Sequence, residues 1–245
     1  MKQLLSNLLK NRDVHQSEID FYSNKEGLDS DSFIEYLRLR GLDIIRRDDT
    51  YHLGIFKTTI KNQLFCIVDI ESNGPDPQKH SIIEIGAIKY QNGKIIDKFS
   101  SLVHSNVVPK MVNEVTGIGI DDLLDAPSLN KVLNEFRLFL GDAVFVAHSA
   151  KWDYKFLSHS FENCNLEHMF NHKLCTLNLA RRYIEAPKHG LRTLNEVLNI
   201  DVNHHRAYDD AYSAMKVLEY CFDKIDCEQT TDLLISNRLA SKIES

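Results

Sequence analysis

Phe65-Cys66-Ile67-Val68-Asp69-Ile70-Glu71-Ser72-Asn73-Gly74 is the stretch on which the reading of this chain turns. Its first four residues form a continuous apolar run, the pattern of a strand buried on both faces. At the C-terminal end of that run the chain places two carboxylates, Asp69 and Glu71. The period-two geometry of a strand points both to one face. Adjacent anions in an apolar setting repel each other and lose hydration, so a divalent cation is a natural counter-charge. An isolated D-x-E at a strand end facing water is common, and this pair needs partners elsewhere in the chain to carry meaning.

Two further acidic sites sit in otherwise apolar elements. Val144-Phe145-Val146-Ala147 reads as another buried strand, and a helix opens after it in His148-Ser149-Ala150-Lys151-Trp152-Asp153-Tyr154-Lys155-Phe156-Leu157. Asp153 has Ala150 at i−3, Phe156 at i+3 and Leu157 at i+4, which puts it on the apolar stripe rather than the solvent face. The last long helix, from about Ala207 to Phe222, is preceded by His204-His205-Arg206. Asp210 shares a helix face with Ala207, Ala214, Val217 and Leu218 and points inward. Asp209 neighbours Tyr212, Ser213 and Lys216 and faces solvent. Asp210 is therefore the better ligand candidate, with His205 in the loop before it.

The remaining pattern fills in an architecture. Ser81–Tyr90 and Lys94–Val103 are apolar-rich runs separated by Gln91-Asn92-Gly93, a strong hairpin signal. Leu129, Val132, Leu133, Phe136 and Leu140 share one face of a helix over 128–140, and shorter helical stretches follow near Thr176–Tyr183 and Thr193–Leu198. Antiparallel strands followed by α/β alternation predict an α/β fold, a mixed sheet flanked by helices. Ahead of it, Phe33, Tyr36, Leu37 and Arg40 mark a helix that Gly41 is placed to end, and 43–47 and 51–55 suggest strand, turn, strand. Helices followed by a hairpin resemble a winged-helix module, with Arg38, Arg40, Arg46 and Arg47 as its basic residues. The expected organisation is a small N-terminal α+β module over 1–62, the main domain over 63–225 and a polar, loosely held tail over 226–245.

Composition narrows the class. The chain has 245 residues, 43% hydrophobic and 26% charged, and no apolar run near the roughly 18–20 residues that span a bilayer. Wholesale disorder and a membrane protein are excluded on that basis. No signal peptide is read at the N-terminus, and five cysteines without a C-x-x-C pair fit reduced thiols in the cytoplasm. The net charge of −6 lies entirely in residues 63–245, since residues 1–62 hold ten basic and ten acidic residues. Acidity argues against strong autonomous duplex binding. Four carboxylates at one predicted site account for part of it, so it does not exclude nucleic acid.

Together these residues resemble the DEDDh 3′–5′ exonucleases, the DnaQ-like group that includes the proofreading epsilon subunit of bacterial DNA polymerase III. The V-D-x-E-[TS]-x-G motif is matched by Val68, Asp69, Glu71, Ser72 and Gly74. H-x-A-x-x-D-x-x-F-L is matched by His148, Ala150, Asp153, Phe156 and Leu157, and H-x-A-x-x-D-A by His205, Ala207, Asp210 and Ala211. Supporting similarity lies at Val115–Ile118 and Cys175–Arg181. The third motif selects Asp210 over Asp209 and His205 over His204.

The resemblance implies an RNase H-like sheet and two Mg²⁺ or Mn²⁺ ions. Asp69 would bridge both, Glu71 and Asp210 would complete one site, and Asp153 would serve the other. Hydrolysis would be an in-line displacement with His205 as general base, releasing nucleoside 5′-monophosphates from single-stranded or frayed DNA 3′ ends in proofreading or repair. Ser72, Asn73 and Gly74 beside the metals, and His148, Trp152 and Phe156 on a neighbouring wall, are the substrate-binding candidates. The catalytic motifs do not distinguish DNA from RNA, which leaves an exoribonuclease trimming RNA ends as the alternative. A non-catalytic DNA-binding regulator using the N-terminal module is the alternative of another class. A DNA polymerase catalytic subunit or a sliding clamp is the implied protein partner, the clamp through Gln229–Leu234, which lacks the usual aromatic. The zinc-compatible spacing of Cys164, His168, His172 and Cys175 is read as an ordinary surface connection.

Overall fold

The computed structural model describes residues 1–202 and 205–234. Five strands form one sheet in the order β6-β5-β4-β7-β8. The central strand β4 (Phe65–Ser72) runs antiparallel to β5 (Ile82–Gln91), which pairs with β6 (Lys94–Leu102). On its other side β4 is parallel to β7 (Val144–Ala147), and β7 is parallel to the short β8 (Lys173–Cys175). Asn92 and Gly93 close the β5–β6 hairpin, both with φ near the left-handed region (54° and 73°), which explains that dipeptide at a two-residue loop. The sheet is mixed, as the sequence predicts.

Period-two alternation along β4 decides where the carboxylates go. Cys66, Val68 and Ile70 pack with α6 (Leu129–Leu140) and α7 (Ala150–Asn163) on one face. Phe65 and Ile67 pack on the opposite face with α8 (Thr176–Tyr183), α9 (Leu191–Leu198) and α10 (Ala207–Phe222). Asp69 and Glu71 continue the second set, so they emerge on the α10 face at the C-terminal end of the strand. Two short helices, α4 (Lys110–Thr116) and α5 (Ile120–Leu124), lie between β6 and α6.

The N-terminal module runs α1 (Lys2–Leu9), β1 (Val14–His15), α2 (Gln16–Lys25), α3 (Ser30–Leu39), β2 (Ile44–Arg47) and β3 (Thr50–Leu53). Its sheet is antiparallel with β3 central, in the order β1-β3-β2. Asp29 caps α3 by accepting the Ser32 amide at 2.9 Å. Leu4, Leu8, Val14, Phe33, Leu37 and Leu53 are fully buried, in the same apolar cluster as Phe65, Leu174 and Leu218.

The module's four arginines are not presented together on one surface. Arg40 is 7% exposed, donates to the His168 carbonyl and the Tyr36 hydroxyl, lies 3.5 Å from Glu167 and stacks over Phe170 at 4.3 Å. It fastens the module to the loop before β8. Arg38 is held by Glu35 and donates to the Ile44 carbonyl at 2.7 Å. Arg46 and Arg47 stay exposed, while the open face of α3 carries Asp31 and Glu35.

Residues 227–234 also depart from expectation, because they are held. The Ile60 amide donates to the Glu228 carbonyl at 2.8 Å and the Thr230 amide to the Thr58 carbonyl at 3.1 Å. Leu233 and Leu234 are 1% and 4% exposed inside the main apolar cluster. A clamp-binding peptide must offer its apolar residues outward, and Gln229–Leu234 buries them instead. Residues 235–245 lie outside the described residues. No disulfide joins any of the five cysteines, and no helix among the described residues is long and apolar enough to cross a membrane.

Candidate active site

Three elements converge where β4 ends. Asp69 and Glu71 come from the strand itself. Asp153, 3% exposed, comes from the first turn of α7, whose inner face also carries Ala150, Phe156 and Leu157. Asp210, 8% exposed, comes from the first turn of α10, where the partial positive charge of the helix N-terminus favours a carboxylate. Ligand atoms of Glu71, Asp210 and His205 lie within 4.8 Å of one another, the one such group of three His, Cys, Asp or Glu residues among those described. Cys164, His168, His172 and Cys175 do not gather in this way.

The electrostatics of this corner are unfavourable for bare carboxylates. Burial, and then the charges of Asp153, Asp210, Glu71 and Glu84, push Asp69 well above the usual carboxylate range. Burial followed by Asp210 and Glu84 raises Glu71 to about 7, with Arg206 opposing. Burial raises Asp153 to about 8, Glu71 adding to it and amide hydrogen bonds, among them one from Ile70, holding it back. Such a set of oxygens fits a divalent hard cation, which would neutralise several anions at once.

The loop bearing His205 is fixed from two sides. The His205 amide donates to Asp210 Oδ2 at 3.2 Å, and His205 has φ of 63°, a left-handed conformation uncommon outside glycine. Its neighbour Arg206 forms a forked ion pair with Glu84, Nη2 to Oε1 at 2.8 Å and Nε to Oε1 at 3.1 Å. Glu84 Oε2 also accepts the Ala207 amide at 3.0 Å, capping α10. Glu84 is 1% exposed and pairs with Glu71 across the β4–β5 ladder.

Gly86, paired with Asp69 in the same ladder, completes the arrangement. A Cβ there would lie 2.1 Å from the Tyr208 amide nitrogen and 2.2 Å from the Ala207 carbonyl carbon. The bare backbone at Gly86 lets α10 approach the sheet closely enough to set Asp210 beside Asp69. Sequence reasoning missed Glu84, Arg206 and Gly86. The signal was available in Ile82-Ile83-Glu84-Ile85-Gly86, where an acid interrupts a buried strand as Asp69 does.

The substrate-binding candidates are used largely within the protein. Ser72 Oγ donates to the Gly74 carbonyl at 2.7 Å. Asn73 Oδ1 accepts the Ser81 amide at 2.8 Å while its Nδ2 donates to the Val107 carbonyl at 3.2 Å, joining two loops. Gly74 lies under the His80 ring, 2.1 Å from where a Cβ would sit. His148 contacts Thr176 Oγ1 through Nδ1 at 3.0 Å and the His189 carbonyl through Nε2 at 2.7 Å. Burial pulls that imidazole down to about 4, so the neutral ring ties the turn between β7 and α7 to α8 and the loop after it. Phe156 is 1% exposed in the core, and Trp152 packs against it with ring centroids 5.3 Å apart. Trp152 alone of the aromatic pair keeps partial exposure beside Asp153.

The RNase T exonuclease family matches residues 66–218, which hold all five acidic and histidine positions. The chain belongs to the DEDDh exonuclease family. It is 36% identical over 185 residues, 74% of its length, to DNA polymerase III PolC-type of Staphylococcus epidermidis, and equally identical over 168 residues to that of Staphylococcus aureus. The match spans only 12% of those much longer polymerases. Among solved structures, Exonuclease X in complex with 5′ overhanging duplex DNA superposes with a TM-score of 0.57 and 24% identity, covering 69% of this chain and 99% of that one. E. coli Exonuclease I in complex with a dT13 oligonucleotide gives 0.59 and 15%, covering 66% and 41%. These likenesses establish the fold as that of the DEDDh exonucleases.

Proposed function

We propose that this exonuclease is a divalent-cation-dependent 3′–5′ enzyme. It removes nucleotides from single-stranded or frayed DNA 3′ ends as nucleoside 5′-monophosphates, in proofreading or repair beside a DNA polymerase. What supports the reading is the gathering of Glu71, Asp210 and His205 at the C-terminal end of β4, with the charges of Asp69 and Asp153 acting on the same corner. DNA is favoured over RNA because the structural neighbours are described with DNA and the sequence relatives are DNA polymerases. A non-catalytic regulator is disfavoured by the acidic open face of α3 and the burial of Arg40.

Asp69, Glu71 and Asp210 would hold one Mg²⁺ or Mn²⁺ ion, and Asp69 with Asp153 a second. Bound there, such ions supply Lewis-acid stabilisation of phosphoryl charge and make a water more acidic. His205, exposed on its fixed loop, takes the proton of the attacking water. Attack forms the new P–O bond as the bond from phosphorus to the 3′ oxygen of the shortened strand breaks. The phosphate therefore stays on the 5′ carbon of the released nucleotide. Trp152, at the rim beside Asp153, offers an aromatic surface to an unpaired terminal base.

Asp210→Asn and His205→Ala test the assignment on 5′-labelled oligomers. His205→Ala is expected to lose about 10²–10⁴-fold in rate, the range general-base catalysis supplies, and Asp210→Asn at least as much. Near wild-type rates in either folded variant would contradict it.

A further inference from the structure

A cavity of about 760 Å³ lies at the end of the sheet away from the carboxylates. Its walls come from four segments: residues 59–63 ahead of β4, the β5–β6 turn, the last turn of α10, and residues 227–228. Phe65 begins β4 in this wall, and Glu71 stands further along the strand, about 20 Å away at ~3.3 Å per residue. Helix α10 spans the same interval, with Asp210 in its first turn and Glu219, Phe222 and Asp223 at the cavity. The two sites are therefore separate. Main-chain groups tie the walls together: the Ile60 amide donates to the Glu228 carbonyl at 2.8 Å, the Asn92 amide to the Lys61 carbonyl at 3.0 Å, and Gln91 Nε2 to the Asn62 carbonyl at 2.7 Å. The cavity is preformed, as small-molecule sites generally are.

Its lining combines apolar surface with negative charge. Phe65 and Phe222 pack with ring centroids 5.4 Å apart and supply the aromatic part of the wall. Three carboxylates, Glu219, Asp223 and Glu228, line it against one base, Lys61. Glu219 is already engaged, accepting from Lys216 at 2.7 Å and bonded to the Tyr90 hydroxyl. Asp223 and Glu228 are exposed and hold no ion pair among the described residues. Burial, then Glu219 and Asp223, push the Tyr90 phenol up, so both charges act on this wall. The last carbonyls of α10 add partial negative charge at the same place.

Gln63 is an independent sign of a ligand. It is 5% exposed in the cavity wall, and its Nε2 donates to the Leu64 carbonyl at 3.1 Å. That bond fixes the other terminal atom as the oxygen. Gln63 Oε1 is buried and has no hydrogen-bond partner among the described residues. Buried acceptors are seldom left so, and a ligand N–H would satisfy this one.

We propose that this cavity binds an aliphatic diamine or polyamine, its methylene stem against Phe65 and Phe222 and its ammonium groups answering Asp223, Glu228 and the Gln63 oxygen. An ammonium brings three donors and no acceptor, which matches a wall of carboxylates and an unpaired amide oxygen. A bare metal ion would leave the aromatic surface unused. Binding here asks nothing of the nuclease reading.

The test is isothermal titration calorimetry of the full chain with spermidine, in EDTA and again in Mg²⁺. n-Butylamine, a similar stem with a single ammonium, is the control ligand. Spermidine is expected to bind at one site, more tightly than n-butylamine, and to raise Tm. Asp223→Asn/Glu228→Gln removes two charges from exposed side chains at constant size. It should weaken spermidine about tenfold, the effect of two partly screened ion pairs. Gln63→Met, which removes the acceptor at similar volume, should weaken it too. Lys61→Gln removes the opposing cation and should tighten it. Asp125→Asn/Glu135→Gln, exposed acids elsewhere, should leave it unchanged. No binding by the parent chain, n-butylamine binding as tightly as spermidine, equal losses in the two acid-pair variants, or heat that disappears in Mg²⁺ would overturn the site. Spermidine binding by a chain that digests no DNA would sink the nuclease reading and leave this cavity's role standing.

Discussion

Glu84 spends both carboxylate oxygens on the segment that carries His205: the Arg206 guanidinium and the Ala207 amide. The two partners differ in exposure, and that decides what each is worth. The Glu84 side chain is 2% exposed and that of Arg206 48%. Arg206→Ala strands a carboxylate in an apolar strand beside Glu71, a loss of the kind that costs about 3–5 kcal/mol. Glu84→Gln leaves a guanidinium that water can reach and an amide oxygen that still accepts, so about 1–3 kcal/mol is expected. Urea unfolding should rank Arg206→Ala as the more damaging change. Equal losses would mean that the capping of α10, rather than the buried charge, carries the energy. The carboxylates of the site were legible because charge within an apolar period is conspicuous. The uses of Ser72, Asn73 and His148 were not, because each answers a backbone group supplied by a distant loop.

Helix α10 is the element whose placement makes the site, and Gly86 is what permits it. Gly86→Ala puts a methyl group into the backbone at Ala207 and Tyr208, which cannot move aside as a flexible side chain would. The helix must shift, taking Asp210 and the His205 loop with it. A displacement of about 1 Å at a reacting centre costs about 10²-fold in rate, so kcat should fall by that order along with a lower Tm. Near wild-type kcat would show that α10 does not set the spacing. Long periodic elements such as α6, α10 and the β5–β6 hairpin could be read from their residues, and so could β4, from its apolar run. The two-residue β1 and three-residue β8 could not, since neither is long enough to show a period, and both owe their existence to the strand beside them. The held tail was missed because its polar residues hide two leucines that close the core.

For the molecule as a whole, the cost of assembling the site appears in its pH dependence. Glu71 stands at about 7 and Asp153 at about 8 in the folded protein, against ordinary values of 4.5 and 3.8. The folded state therefore binds these protons more tightly than the unfolded chain does. Stability from this source is present at acid pH and is lost as pH rises through 7–8. The EDTA-treated protein should thus melt at higher temperature at pH 6 than at pH 8.5, and Mg²⁺ or Mn²⁺ should raise the value at pH 8.5 most. A Tm that climbs from pH 6 to 8.5 in EDTA would contradict the electrostatic account. The arginine fastening of the N-terminal module belongs to the same scale: Arg40 joins α3 to the loop before β8, so module and exonuclease domain share one apolar cluster. The most direct measurement of the central claim is digestion of a 5′-labelled single-stranded DNA oligomer with Mg²⁺. The account predicts a ladder that shortens progressively from the 3′ end, with nucleoside 5′-monophosphates released and EDTA halting it. Immediate release of the labelled 5′ nucleotide, internal cuts, or digestion that persists in EDTA would contradict it.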